Sequence, residues 1–401
     1  MADALQHAAQ TQLHIFYVHG IGANGPDHDS YALRVSICNF LHCTTTQGEL
    51  EKTDYADKGS FAPASPPPAV TYLGDRVWND DQEWKASAPY VDHWNLETRE
   101  GRKVYVDEIN WWPLVFALKC RQIVKNDAAL VGPNVPYLDL CSESTRDPNN
   151  PQRYRLYPWL TTDETKALKA SPRRAALINR TVKNNLLDWG FADAFLAVGN
   201  LQPLLLEGIR ELVLQSVAVA PNGSRNASLQ PQPNQEFVIV THSLGSYLIF
   251  SALDVGPAAS ANPEVRNWRS QFDHVLSHTT IVYFFANQLR LLELANLDVK
   301  THLRNWGKLR HDYLASQMDL TRSAAPAAKI VAWSDPSDLL TWTVPDLEHD
   351  TGYEIEVENH LVRNAIHWLW LFEGPTGAHD NYASNGKVIR TMLKPAARDQ
   401  R

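Results

Sequence analysis

Short apolar runs punctuate this chain at wide intervals, and each gives way to polar or small residues: "HIFYVHG" (14–20), "RKVYVDEI" (102–109), "FVIVTH" (237–242), "TIVYFFA" (280–286) and "KIVAWSD" (329–335). Runs this dense in β-branched and aromatic residues suit strands covered on both faces, as in a largely parallel sheet. Between them apolar positions recur at helical spacing, which predicts helices over 31–41, 113–126, 173–189, 203–218, 244–254, 288–298 and 384–395. The first opens after Asp29 and Ser30, an N-cap pair. Strand, loop and helix alternate as βαβ units require, so the expected class is α/β, a mostly parallel sheet flanked by helices.

Three stretches depart from that rhythm. "YVDHWNLETREGRKVYVDEINW" holds two alternating runs that meet at Arg99-Glu100-Gly101-Arg102, which predicts a hairpin appended to the sheet. Residues 44–70, with "SFAPASPPPAV", are rich in proline, serine and charge and read as a surface loop. Residues 127–235 form a long insertion before a strand and read as a helical cap over a site. Its most apolar part, "FADAFLAVGNLQPLLLEGIRELVL" (191–214), carries Asp193, Glu207 and Arg210 and is divided by Pro203, so no transmembrane segment is expected.

Composition narrows the classes further. At 44% hydrophobic residues the 401-residue chain has ample material for a core, and a net charge of -8 leaves no basic footprint for nucleic acid. Cys38, Cys43, Cys120 and Cys141 lack CxxC spacing and are expected as reduced structural thiols. No secretory leader is visible, which makes the cytoplasm the default, although export without a cleaved leader would leave the same sequence. The Asn-x-Ser/Thr triplets at Asn179, Asn222 and Asn226 carry little weight without a leader.

The chemistry concentrates where "FVIV" runs into Thr241-His242-Ser243-Leu244-Gly245. A serine hydroxyl needs an exposed, rigid mount beside a base and near N–H donors. A tight turn from a strand into a helix supplies the mount and sets the serine at a helix N-terminus. Thr241-x-Ser243-x-Gly245 fits that pattern, with threonine where glycine is commoner; an ordinary turn with Ser243 as N-cap is the alternative. A second strand ends in "VHGIG", whose Gly20 and Gly22 let a loop turn beneath a substrate oxygen and present the N–H of Ile21. Dinucleotide or ATP binding by the same glycines is disfavoured, because no Gly-Lys-Ser/Thr follows and no acidic residue closes a next strand.

With the "VHGIG" loop and "THSLG" elbow, the chain resembles a lipase/esterase-type member of the α/β-hydrolase superfamily. The resemblance covers the core strands but neither the hairpin nor the cap. It implies one α/β-hydrolase domain over 1–401 and an order of nucleophile, acid, histidine. "KIVAWSDPSDLLTW" then offers Asp335 and Asp338; family loops commonly place the acid at the later position, so Asp338 is expected and Asp335 is the alternative. Among fifteen histidines, His379 in "EGPTGAHDNYASNG" occupies the glycine-rich loop where the family carries its base. His360 and His367 lie in an apolar setting that suits core packing, and His242 is expected to point away from the elbow.

The expectation is a serine hydrolase with Ser243, Asp338 and His379 as triad and the N–H groups of Ile21 and Leu244 as oxyanion donors. It would act on a small-molecule or lipid ester, with contact at a lipid interface left open. No cofactor is expected, and no metal: there is no His-Glu-x-x-His, and "PDHDSY" is too short alone. The same triad would serve a thioesterase, amidase or acyltransferase, and a non-catalytic binding protein on this scaffold is the further alternative.

Overall fold

A computed structural model describes residues 12–20, 30–44, 90–99, 101, 103–111, 115, 119–120, 123, 141, 162–170, 191–199, 202–218, 235–252, 271–295, 299–318, 328–344, 355–364 and 375–398. The strands are β1 (Gln12–Val18), β2 (Tyr90–Glu97), β3 (Lys103–Asn110), β4 (Gln235–His242), β5 (Thr279–Phe285), β6 (Ala328–Ser334) and β7 (Ile355–Leu361). They form one sheet in the order β2-β3-β1-β4-β5-β6-β7. Only the β2–β3 pair is antiparallel, Tyr90 facing Asn110 and Glu97 facing Lys103, so the expected hairpin stands at one edge. The remaining pairs are parallel, and β4 lies at the centre. This is an α/β fold.

The helices used below are α1 (Tyr31–Leu41), α2 (Thr162–Ala170), α3 (Ala192–Val198), α4 (Gln202–Ala218), α5 (Leu244–Ala252), α6 (Leu289–Leu292), α7 (Val299–Met318), α8 (Pro375–Asp380) and α9 (Gly386–Arg398). Side chains alternate along each strand, which divides the core into two layers. Phe16, Val18, Ile239 and Phe284 pack with Leu212 of α4, Leu248 of α5 and Leu303 of α7. Ile15, Tyr17, Val240 and Phe285 pack on the opposite face with Leu33 of α1 and Ile389 of α9. The chain crosses from β3 over β1 to β4, so connections on the two sides of the β1–β4 boundary run in opposite directions. Open α/β sheets bind ligands at such switch points, beyond the strands' carboxyl ends.

Several expectations change. Ser30 precedes α1 but makes no side-chain cap; its hydroxyl donates to buried Glu108 and accepts from Arg34 Nη1 at 2.6 Å, because that carboxylate is the stronger acceptor. The helix expected over 288–298 shrinks to α6 and a 3₁₀ turn (Glu293–Ala295), and a longer helix follows as α7. Helix α4 buries Leu205, Ile209 and Val213 in the same layer as α5, and Arg210 donates twice to the last carbonyl of α5, that of Ala252. This part of the 127–235 insertion is therefore sheet-covering core. The 44–70 loop lies outside the described residues apart from Thr44, as do the 173–189 helix and most of 113–126.

The expected free thiols are a correction: the cysteines pair as Cys38–Cys43 and Cys120–Cys141, with Cα atoms 4.7 and 5.6 Å apart, inside bridging range. Cys38 and Cys43 meet because His42 ends α1 in the left-handed region (φ 53°) and folds the chain back. Thr44 N then donates to Glu97 O at 2.8 Å and binds this corner to the hairpin.

Two outcomes follow from this packing. A Cβ at Gly245 would lie 2.4 Å from Val18 O and 2.6 Å from His19 O, both backbone atoms of β1 and its end. Gly245→Ala should cost about 2–3 kcal/mol in urea unfolding, as overpacking against unyielding backbone does; an unchanged midpoint would show that the elbow helix can retreat. Thiol titration of denatured, unreduced protein should find no reactive thiol, and four after reduction.

Candidate active site

Strand β4 ends at His242 and α5 begins at Leu244, so Ser243 alone makes the corner. It does so at φ 53°, a left-handed conformation uncommon for a non-glycine residue. Ser243 N donates to Phe285 O at 2.8 Å, extending the β4–β5 ladder by one bond, and Ser246 Oγ donates back to Ser243 O at 2.6 Å. Thr241 in the position where glycine is commoner causes no crowding: it is buried, and its Oγ1 donates to Tyr283 O at 3.3 Å. The close approach falls on Gly20 instead, where a Cβ would sit 2.7 Å from Ser243 Cβ. Leu244, at the first position of α5, is fully buried. Ile21 lies outside the described residues.

His379 Nε2 stands 3.0 Å from Ser243 Oγ, and its Nδ1 stands 2.9 and 3.0 Å from the two oxygens of Asp338. A carboxylate only accepts, so Nδ1 carries the proton and Nε2 is the acceptor that faces the serine. The structure thus brings Ser243, His379 and Asp338 into one relay. His379 rides on α8, a six-residue helix opened by Pro375, where a loop was expected.

Asp335 stands apart from His379. Its carboxylate accepts from Ser337 N at 2.9 Å and from Asn364 N at 2.5 Å, and Asp338 N donates to its backbone oxygen at 3.0 Å. It shapes the loop that presents Asp338. Asn364 in turn donates through Nδ2 to Ala378 O at 3.0 Å, next to His379. Tyr382, three residues beyond His379, accepts from Asp335 N at 2.7 Å and donates to Asp338 Oδ2 at 3.1 Å. Burial, reinforced by the Asp338 charge, holds its phenol well above the usual range, so it stays a donor.

His242 is closer to the site than expected. Its Nε2–H donates to His379 O at 2.8 Å and its ring centroid lies 5.0 Å from that of His379. Desolvation, with a smaller contribution from His379, lowers its pKa to about 3. Desolvation also lowers buried His19 to about 4; its ring stacks on Trp111 with centroids 4.9 Å apart, and Trp111 Nε1 donates to His19 O at 3.1 Å. Of the two histidines read as core, His360 and His367, the first is only half-buried, its ring stacked on Trp333 and its Nε2 3.0 Å from Glu358 on edge strand β7; His367 lies outside the described residues.

Gln288 completes the surroundings of the hydroxyl: its Nε2 donates to Ser243 Oγ at 2.7 Å. Sequence reading missed Gln288 and Tyr382. The signal for the first is a polar pair, Asn287-Gln288, directly after an apolar strand; for the second, it is a tyrosine one helical turn past the histidine. Among the described residues, His242, His379 and Asp380 each offer a metal-ligand atom within 4.8 Å of the others. Both nitrogens of His379 and Nε2 of His242 are already hydrogen-bonded, so an ion would have to dismantle the relay.

Comparison with protein-family models, curated proteins and solved structures found no match. The chemistry of the site follows from its own geometry.

His19 and His242 contribute to the acid response. Both have folded pKa values below the ordinary 6.5, so the unfolded chain takes up protons first. Their stabilisation is complete above pH 6.5 and is lost as pH falls toward 4 and then 3. His19 alone should remove about 3 kcal/mol by pH 4. Urea midpoints measured over that range should fall more steeply for the wild type than for His19→Gln; parallel curves would remove His19 as the cause.

Proposed function

We propose that the chain is a serine hydrolase of the α/β-hydrolase type that cleaves carboxylic esters through an acyl-enzyme. The observation that carries this reading is the continuous relay from Asp338 through His379 to Ser243, with hydrogen-bond distances of 2.9 and 3.0 Å, on a serine held left-handed at a strand-to-helix corner. Three groups from distant parts of the chain have the tautomer and order that general-base activation of a hydroxyl demands.

In that reading Ser243 Oγ bonds to the acyl carbon as its proton passes to His379 Nε2. The carbonyl π pair moves onto oxygen, which the N–H of Leu244 and that of Ile21 would receive. Collapse breaks the bond to the leaving alcohol, which takes the proton from His379. Water then repeats the sequence on the acyl-enzyme and releases the carboxylic acid. Asp338 stabilises the imidazolium in both halves, and no cofactor enters.

The default cytoplasmic placement and the two disulfides pull in opposite directions, since structural disulfides persist in oxidising compartments. Thiol counts on protein taken directly from the producing cell decide between them.

A fluorophosphonate probe should label the folded chain, and Ser243→Ala should abolish the adduct; an unlabelled wild type sinks the hydrolase reading. Against p-nitrophenyl esters, Asp338→Asn should lower kcat by about 10⁴-fold. Asp335→Asn should instead lower the melting temperature, with activity following the folded fraction.

A further inference from the structure

We propose that Gln288 is a fourth catalytic residue, whose side-chain amide donates a hydrogen bond to Ser243 Oγ and stabilises the negative charge that this oxygen carries. This rests on the hydrolase reading above and adds a donor to the nucleophile itself, as distinct from the carbonyl oxygen.

The direction of the bond follows from proton counting. Ser243 Oγ has one hydrogen, and with Nδ1–H of His379 committed to Asp338 that hydrogen points at Nε2, 3.0 Å away. The contact to Gln288 at 2.7 Å must then be an N–H donated into an Oγ lone pair. Oγ carries developing charge twice in each turnover: while it attacks and gives up its proton, and while it is expelled when the acyl-enzyme is hydrolysed. In the hydrolase reading the N–H of Leu244 serves the substrate oxygen, and the start of α5 favours negative charge on Oγ only through its dipole, without a hydrogen bond aimed at it. The buried N–H of Gln288 supplies that bond, and bonds to charged acceptors are about twice as strong as those to neutral ones. In the acyl-enzyme between the two events Oγ is an ester oxygen, a poorer acceptor, so the amide favours the charged states over the intermediate.

The mount of Gln288 is as constrained as that of the serine. Ala286, at the end of β5, is left-handed with φ 53°, which turns the chain back toward the elbow. Ala286 N donates to Trp333 O at 3.3 Å; Trp342 N donates to Asn287 O at 3.1 Å, and Asn287 Nδ2 donates to Trp342 O. Gln288 N reaches Ser246 Oγ at 3.4 Å, the same hydroxyl that is bonded to Ser243 O, and Leu292 N donates to Gln288 O at 3.0 Å as α6 begins. Gln288 is 3% exposed, so its amide acts where water does not compete.

The test uses the full chain and measures the second-order rate of fluorophosphonate labelling, with kcat and KM for p-nitrophenyl butyrate. Gln288→Met keeps the length and removes the donor; it should lower the labelling rate and kcat by about 10- to 100-fold with KM nearly unchanged. Gln288→Glu keeps the size and restores a donor only when protonated. Its rate relative to wild type should therefore rise as pH falls from about 8 to about 5, a buried carboxyl titrating above its usual range. Normalised to the fraction folded at each pH, a role in packing alone would leave that ratio flat. The proposal is overturned if folded Gln288→Met labels at the wild-type rate, or if the Gln288→Glu ratio does not change with pH; should Gln288→Met fail to fold, the second result decides. Wild type that labels alongside a fully reactive Gln288→Met would fail Gln288 while leaving the hydrolase reading intact.

Discussion

One backbone angle organises this molecule. A serine at φ 53° costs on the order of 1–3 kcal/mol relative to an ordinary conformation, and such a residue persists only where its surroundings over-determine it. Here they do. The amide of Ser243 is claimed by β5, its carbonyl by Ser246, and the helix that follows is pressed onto β1 through Gly245. Every residue of α5 is buried, so the helix cannot pivot to relieve the corner. Ala286, at the same φ on the neighbouring strand, turns its chain toward the same oxygen. Two strained corners on adjacent parallel strands thus converge on one hydroxyl.

The electrostatic character of the site follows from what surrounds that corner. Three histidines, His19, His242 and His379, lie close together, and a second cation beside His379 would oppose its protonation. Burial removes that conflict by keeping His19 and His242 neutral at ordinary pH. Neutral His242 is free to act as a donor to the His379 backbone. Tyr382 likewise remains protonated and ties the Asp335–Asp338 loop to the element that carries His379.

What the sequence made legible depended on contrast. The β1, β3, β4, β5 and β6 runs are largely apolar and mostly buried and stand out at once, even though β3 also carries Asp107 and Glu108. Edge strand β7, "IEVENHL", buries only Ile355 and alternates with charge, so its pattern is that of a surface segment. Helix α7 meets the core through Leu303, Trp306 and Leu314, a stripe too sparse to stand out among its basic and polar residues. Ser243 and His379 were readable from local context, and Asp338 from its place after β6. Gln288 and Tyr382 were not, because their significance lies in one partner atom each across 45 and 44 residues of chain. The cysteine pairs were hidden for the same reason: a left-handed residue at a helix end, not spacing, brings Cys38 to Cys43.

Ser243 and His379 have unequal neighbours. Ser243 follows the central strand, while the element bearing His379 is tied inward by His242 and Tyr382 and outward by Asn364, just past β7, the outermost strand of the sheet. Edge strands are the first to part from a sheet, and local opening there takes less free energy than global unfolding. Fraying at that margin would release the Asn364 tie and leave His242 and Tyr382 holding the imidazole beside the serine. In the hydrolase reading proposed above, the pairing of Ser243 with His379 is therefore buffered against opening at the rim of the sheet, because the remaining ties run to its centre.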